Sequence, residues 1–162
     1  MNINELKTDI QKHKDRSAET YNDIVNISIP FYMFHRKMFE GIRCFKDDDY
    51  QITHNELDVL SSLKMSGSED YILSPSRLNE RLLFSAAAIT KVLKKLEEKK
   101  YITRLDNEFD KRGKLVQLTT LGREVHDKVL KEVLNFEEIC FSSLNEEEKQ
   151  TMQNLLIKLL KS

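Results

Sequence analysis

Residues 74–119 read SPSRLNERLLFSAAAITKVLKKLEEKKYITRLDNEFDKRGKLVQLT, and this stretch decides the fold. Ser74-Pro75 sets an N-cap before a proline at the first helical position, the order a helix start favours. The spacing predicts a short helix to about Leu82, with Leu78 and Leu82 as its apolar ridge. Ser85 caps a second helix, Ala86 to about Lys100, in which Ile89, Val92, Leu93 and Leu96 recur at three- and four-residue steps. Two helices this close, the second opening on small residues, match a helix-turn-helix whose second helix enters the DNA major groove by its N-terminal end. An ordinary amphipathic helix with a lysine face fits that passage equally well.

The next residues separate the two readings. Tyr101-Ile102-Thr103-Arg104-Leu105 is rich in strand formers, and Lys114 to Thr119 alternates apolar and polar side chains. A charged loop, Asp106 to Gly113, joins them with hairpin character. Two such helices followed directly by a hairpin make a winged helix-turn-helix.

Charge is distributed to match. The whole chain of 162 residues carries a net charge of −1, which argues against an indiscriminate polyanion binder. Between Ser74 and Val116, however, 11 Lys/Arg stand against 6 acids, a local +5 inside a remainder of −6. Such segregation is the footprint of a localised phosphate-binding face. On the second helix, Ser85, Ala86 and Ala87 permit close approach to base edges and thymine methyls, and Thr90 suits a base-edge hydrogen bond. Lys91, Lys94 and Lys95 suit phosphates or guanine. Ser76 and Arg77 on the first helix, and Lys111, Arg112 and Lys114 on the hairpin, complete the candidate surface.

Outward from this centre the chain is helical. Thr53 and Glu56 form a capping box that opens a helix through Leu57, Leu60 and Leu63 to Gly67. Upstream, residues 1–29 are polar and helix-permissive, with Ile24, Ile27 and Phe31 as a sparse apolar stripe. Pro30 predicts a kink or break. A helix should then run to about Phe45, with Phe31, Phe34, His35, Met38, Ile42 and Phe45 on one face, and end at Asp47-Asp48-Asp49. Downstream, Leu121, Val125, Val129, Val133, Phe136 and Cys140 step through a long helix. Asn145, with Glu148 three residues on, opens a last helix whose Met152, Leu155, Leu156, Leu159 and Leu160 form a stripe. Stripes at the end of a chain must pack on something, either a monomer core or a helical dimer interface. A dimer would place two reading heads about one helical turn of DNA apart.

Three stretches together resemble the multiple-antibiotic-resistance regulator (MarR) family: Gln51 to Leu60, Ile89 to Lys99, and Asp110 to Gly122. With the flanking helices the resemblance covers roughly residues 17–161. It implies a mainly α fold with a small β-hairpin wing, and a division into N-terminal dimerisation helices (1–46), a winged helix-turn-helix DNA-binding domain (47–120) and C-terminal dimerisation helices (121–162). It also implies a homodimer built on Ile24, Ile27, Val133, Phe136, Phe141, Met152, Leu155, Leu156 and Leu159. The family's members bind double-stranded DNA and regulate transcription, most often as repressors, with small-molecule ligands often held between the dimer interface and the reading heads. Asp110 and Arg112 would brace the wing by an ion pair. Two departures stand out. The wing tip is Asn107-Glu108-Phe109, with Lys111 as the nearest cation where the family commonly has an arginine, and the usual turn glycine between the two reading helices is replaced by Leu83-Phe84.

Other chemistries have little support. His13, His35, His54 and His126 with Cys44 and Cys140 show no metal-ligand spacing, so no metal or cofactor is expected. His35 and His126 read as satisfied helix residues, Cys140 as a small buried hydrophobe, and Cys44, near Arg43 and Lys46, as a faint redox candidate. Neither a phosphate-cradling glycine loop nor a nucleophile signature is present, which argues against an enzyme. The polar opening MNINELKTDIQKHKDR and the absence of long apolar runs predict no secretory signal and no membrane partner, and hence a cytoplasmic chain. The competing function is a winged-helix module that binds protein rather than DNA, favoured by Glu108, Phe109 and the acidic remainder.

Overall fold

A computed structural model describes residues 3–44, 52–107 and 113–161. The chain forms two compact units, residues 1–41 and 42–162.

The first unit contains α1 (Ile3–Arg16) and most of α2 (Val25–Cys44). The break between them lies at residues 17–24, and α2 passes through Pro30 without ending. This corrects the expected break. Proline removes a single N–H from the second turn of a 20-residue helix, and the remaining ladder carries the segment through it. Phe34 and Met38 are half-buried, whereas Phe31 and His35 are exposed. The His35 ring stacks between Phe31 and Phe39, with centroids 6.4 and 6.1 Å apart. The acidic run, Phe45 and the side chains of Ile42 and Cys44 lie outside the described residues.

The second unit runs α3 (His54–Ser66), β1 (Ile72–Leu73), α4 (Pro75–Leu82), α5 (Ala86–Glu98), β2 (Ile102–Asp106), β3 (Lys114–Leu118), α6 (Thr120–Phe141) and α7 (Glu146–Leu159). The predicted hairpin pairs Ile102 with Leu118 through to Asp106 with Lys114. β1, for which the sequence carries no signal, is a two-residue strand that pairs with β3 and gives the antiparallel order β1-β3-β2. Tyr71 leads into it at a positive φ of 59°, with the Arg123 guanidinium 5.1 Å over its ring.

The core sits where α3, α5, the sheet and α6 meet. Leu57, Leu60 and Leu63 of α3 are buried with Leu78 of α4, and Val116 and Ile102 close the floor. Val125, Val129 and Val133 of α6 belong to the same core. The first half of α6 therefore packs against the winged helix. Val133, expected at a dimer interface, is 7% exposed within the protomer.

The hairpin's exit is fixed by a close approach. Thr119 Oγ1 accepts a hydrogen bond from Gly122 N at 2.9 Å, and its one proton faces the carbonyls of Lys100 and Tyr101, 2.9 and 3.1 Å away. A Cβ on Gly122 would lie 2.1 Å from the Tyr101 carbonyl oxygen, so only glycine lets α6 start there.

The α3–α6 seam is polar at one level. His126 is 1% exposed, with its Nε2 3.0 Å from Ser61 Oγ and its Nδ1 3.0 Å from Asp127 Oδ1. Lys64 of α3 reaches the same Asp127 carboxylate. The Lys64 hydrogen bond first, and His126 second, hold the Asp127 carboxyl below its ordinary value. His126 is thus the satisfied interior residue that its helix position suggests, and Cys140 is half-buried rather than buried. No helix among the described residues is long and apolar enough to cross a membrane.

Candidate nucleic-acid interface

α5 is anchored on three sides. Its inner face, Ile89, Val92, Leu93 and Leu96, is at most 8% exposed, and each such burial stabilises by about 1.5–3 kcal/mol. At its start, Ser85 Oγ accepts from Ala88 N at 3.2 Å. At its end, Tyr101 N bonds the Leu96 carbonyl and Lys100 N bonds the Glu97 carbonyl. That pattern is a Schellman motif, with Lys100 in the left-handed position at φ 62°.

A buried carboxylate fastens α5 to α3. Glu56 is 1% exposed and accepts from Thr53 N at 2.7 Å and Thr53 Oγ1 at 3.0 Å, closing the predicted capping box. Lys99 Nζ, just past the end of α5, donates to both Glu56 oxygens at 3.0 Å. Burial alone would raise the Glu56 pKa. The Thr53 backbone N–H, with the Lys99 ammonium and the Thr53 hydroxyl, outweighs it and leaves the group below its ordinary value. The capping box was legible in the sequence, but the Glu56–Lys99 link, 43 residues apart, was not.

The outer face is the candidate reading surface. Ser85, Ala86, Ala87, Thr90, Lys91, Lys94 and Lys95 are all exposed on one helix. Thr90 Oγ1 donates to the Ala86 carbonyl at 2.8 Å. Lys91 and Lys95 make no ion pair among the described residues, while Lys94 lies 3.9 Å from Glu98. Ser76 and Arg77 are exposed on α4, and Arg77 pairs with Glu80 at 2.8 Å. Exposed pairs of this kind are worth roughly 0–1 kcal/mol, so a phosphate can displace them. Lys99, one of the basic residues in the central segment, is held by Glu56 and is not available in the same way.

The turn between α4 and α5 explains the missing glycine. Leu83 takes the left-handed conformation itself, at φ 52° and ψ 32°, and is 91% exposed. Phe84 beside it packs against the core. On the hairpin, Lys114 Nζ lies 2.7 Å from Asp106 Oδ1, and this bond holds the Asp106 carboxyl below its ordinary value. Lys111, Arg112 and the Asp110–Arg112 brace lie outside the described residues, as do Glu108 and Phe109.

Of the expected interface residues, Ile24 (56%) and Ile27 (69%) are exposed on or beside α2. On α7 no residue is buried, with Leu155 at 57% and Leu159 at 69%. Leu156 is exposed as well, whereas Phe136, Phe141 and Met152 are half-buried.

Comparison with known proteins matches this architecture. A model of the MarR family matches residues 50–113. The regulator PecS of Dickeya dadantii is 31% identical over 107 residues, spanning 66% of this chain and 64% of PecS, slightly under two thirds of that protein. The multiple antibiotic resistance protein MarR of Salmonella typhimurium is 27% identical over 145 residues, 89% of this chain and 97% of the other. A cysteine-to-serine mutant of E. coli MarR, crystallised with operator DNA, superposes with a TM-score of 0.72 at 26% identity, covering 86% of this chain and 99% of that one. These relatives are transcriptional regulators, and the winged-helix segment of this chain, residues 50–113, matches the MarR family.

Proposed function

We propose that the chain is a sequence-specific, double-stranded-DNA-binding transcriptional regulator that acts as a homodimer in the cytoplasm, as a repressor released by a small molecule or a stress signal. The observation that carries this reading is α5, whose inner face is locked in the core while its outer face offers small side chains first and lysines after them. Ser85, Ala86, Ala87 and Thr90 meet bases, while Lys91, Lys94, Lys95, Ser76 and Arg77 meet phosphates or guanine. Lys111, Arg112 and Lys114 extend the contact along the backbone, with Asp110 bracing Arg112. Ile24, Ile27, Phe136, Phe141, Met152, Leu155, Leu156 and Leu159 form the dimer contact, so that residues 1–46 and 121–162 serve dimerisation and 47–120 serves DNA.

Fluorescence anisotropy with the DNA upstream of its own coding sequence tests the reading. The full chain should prefer that duplex to a scrambled one at moderate salt, with affinity falling steeply as salt rises because several phosphates are neutralised. Equal binding to both duplexes overturns it. A protein-binding role rests on Glu108 and Phe109, which lie outside the described residues, and on the acidic remainder of the chain.

A further inference from the structure

We propose that the leading end of α5 selects A·T base pairs, with Thr90 serving only as a hydrogen-bond acceptor for the adenine 6-amino group and Ala86 and Ala87 packing against thymine methyls; this rests on the DNA-binding reading above. A threonine hydroxyl has one proton to give. Here that proton goes to the Ala86 carbonyl at 2.8 Å, inside the helix, which also fixes the side chain's rotamer. Toward a ligand the exposed hydroxyl therefore has lone pairs only.

In the major groove, guanine O6 and N7, thymine O4 and adenine N7 are all acceptors, and an acceptor has nothing to offer them. The donors are the adenine N6 and cytosine N4 amines. The methyl groups decide between these two. The exposed side chains of the first turn are Ala86 and Ala87, which carry no polar atom. Thymine alone presents a methyl in that groove. An A·T pair supplies both a methyl and an amine, whereas a G·C pair supplies the amine without the methyl. Lys91 is the first cation of α5 and has no ion pair among the described residues, so guanine and phosphate contacts fall to it and to the residues beyond.

The experiment uses the full chain and the duplex upstream of its own coding sequence, read by fluorescence anisotropy. Each thymine in the protected half-site is replaced in turn by deoxyuridine, which lacks the methyl. Each adenine is replaced by 2′-deoxyribosylpurine, which lacks the 6-amino group. At the recognised positions each change should weaken binding by about fivefold or more, the lower end of what a mismatched pair costs. In Thr90→Val the adenine replacement should cost nothing further, and Thr90→Ser should restore its cost. Normal preference for the duplex with no sensitivity to either replacement overturns this inference and leaves the regulatory reading standing. Sensitivity confined to guanine analogues overturns it as well. Absence of any preference for the duplex overturns the regulatory reading itself, and the inference with it.

Discussion

α5 and α7 are built by the same local rules and end in opposite situations. Each opens on a side-chain cap, Ser85 or Asn145, and each carries an apolar stripe at helical spacing. In α5 the stripe disappears into the protomer core. In α7 nothing is buried, although its capping box is complete, with both Asn145–Glu148 bonds at 2.9 Å. Capping and periodicity thus establish that a helix exists and which face is apolar. They leave open whether that face closes within the chain or against a second copy. α5 thus closes its apolar face within the protomer and exposes its polar one, while the apolar face of α7 stays largely exposed.

Breaking the closed face of α5 should have the largest effect. Leu93→Ala deletes a side chain that is 1% exposed at the centre of the core and should cost about 2–5 kcal/mol in denaturant unfolding. Leu155→Asp should leave the protomer's stability nearly unchanged, because Leu155 is 57% exposed there. It should instead shift the chain from dimer to monomer in sedimentation, with the dimer's dissociation constant rising by roughly tenfold or more. A large loss of protomer stability from Leu155→Asp would mean that α7 packs within its own chain.

A smaller effect tests the anchor of α5. Glu56→Gln removes the charge that Lys99 meets and should cost about 1–3 kcal/mol at neutral pH. Its pH dependence has a definite sign. The Glu56 pKa is lowered on folding, so its contribution is full above the unfolded value of 4.5 and is lost as pH falls through the folded value. Acid unfolding of Glu56→Gln should therefore be less steep than that of the parent. The smallest change is Leu83→Gly, which relieves the left-handed strain and gives up little burial. It should stabilise by up to about 1 kcal/mol, because glycine's greater freedom in the unfolded chain offsets part of the relief.

The sequence was most informative where structure is local. The caps at Thr53, Ser74, Ser85 and Asn145 and the core stripes of α3 and α5 depend on residues three or four apart, and each appears where its spacing predicts. Pro30 misled because a helix loses only one bond to an internal proline, and residues 17–24 form the real break. The links that hold the reading head depend on residues far apart. Glu56 with Lys99, Ser61 with His126 and Lys64 with Asp127 carry no spacing signal at all. β1 was invisible because two residues cannot show a period, and only β3 as its partner makes it a strand. At the candidate site, the exposed face of α5 was readable from helical periodicity. The intrahelical bond of Thr90, which sets what that hydroxyl can recognise, was not.

Lys91→Ala decides whether the outer face of α5 reads DNA. Lys91 is exposed, makes no ion pair among the described residues and lies one residue past Thr90. In anisotropy titrations on the upstream duplex, with dimer state checked in parallel, the variant should bind about 5- to 150-fold more weakly, equivalent to 1–3 kcal/mol. Unchanged affinity in a correctly folded dimer would mean that this face of α5 does not read DNA.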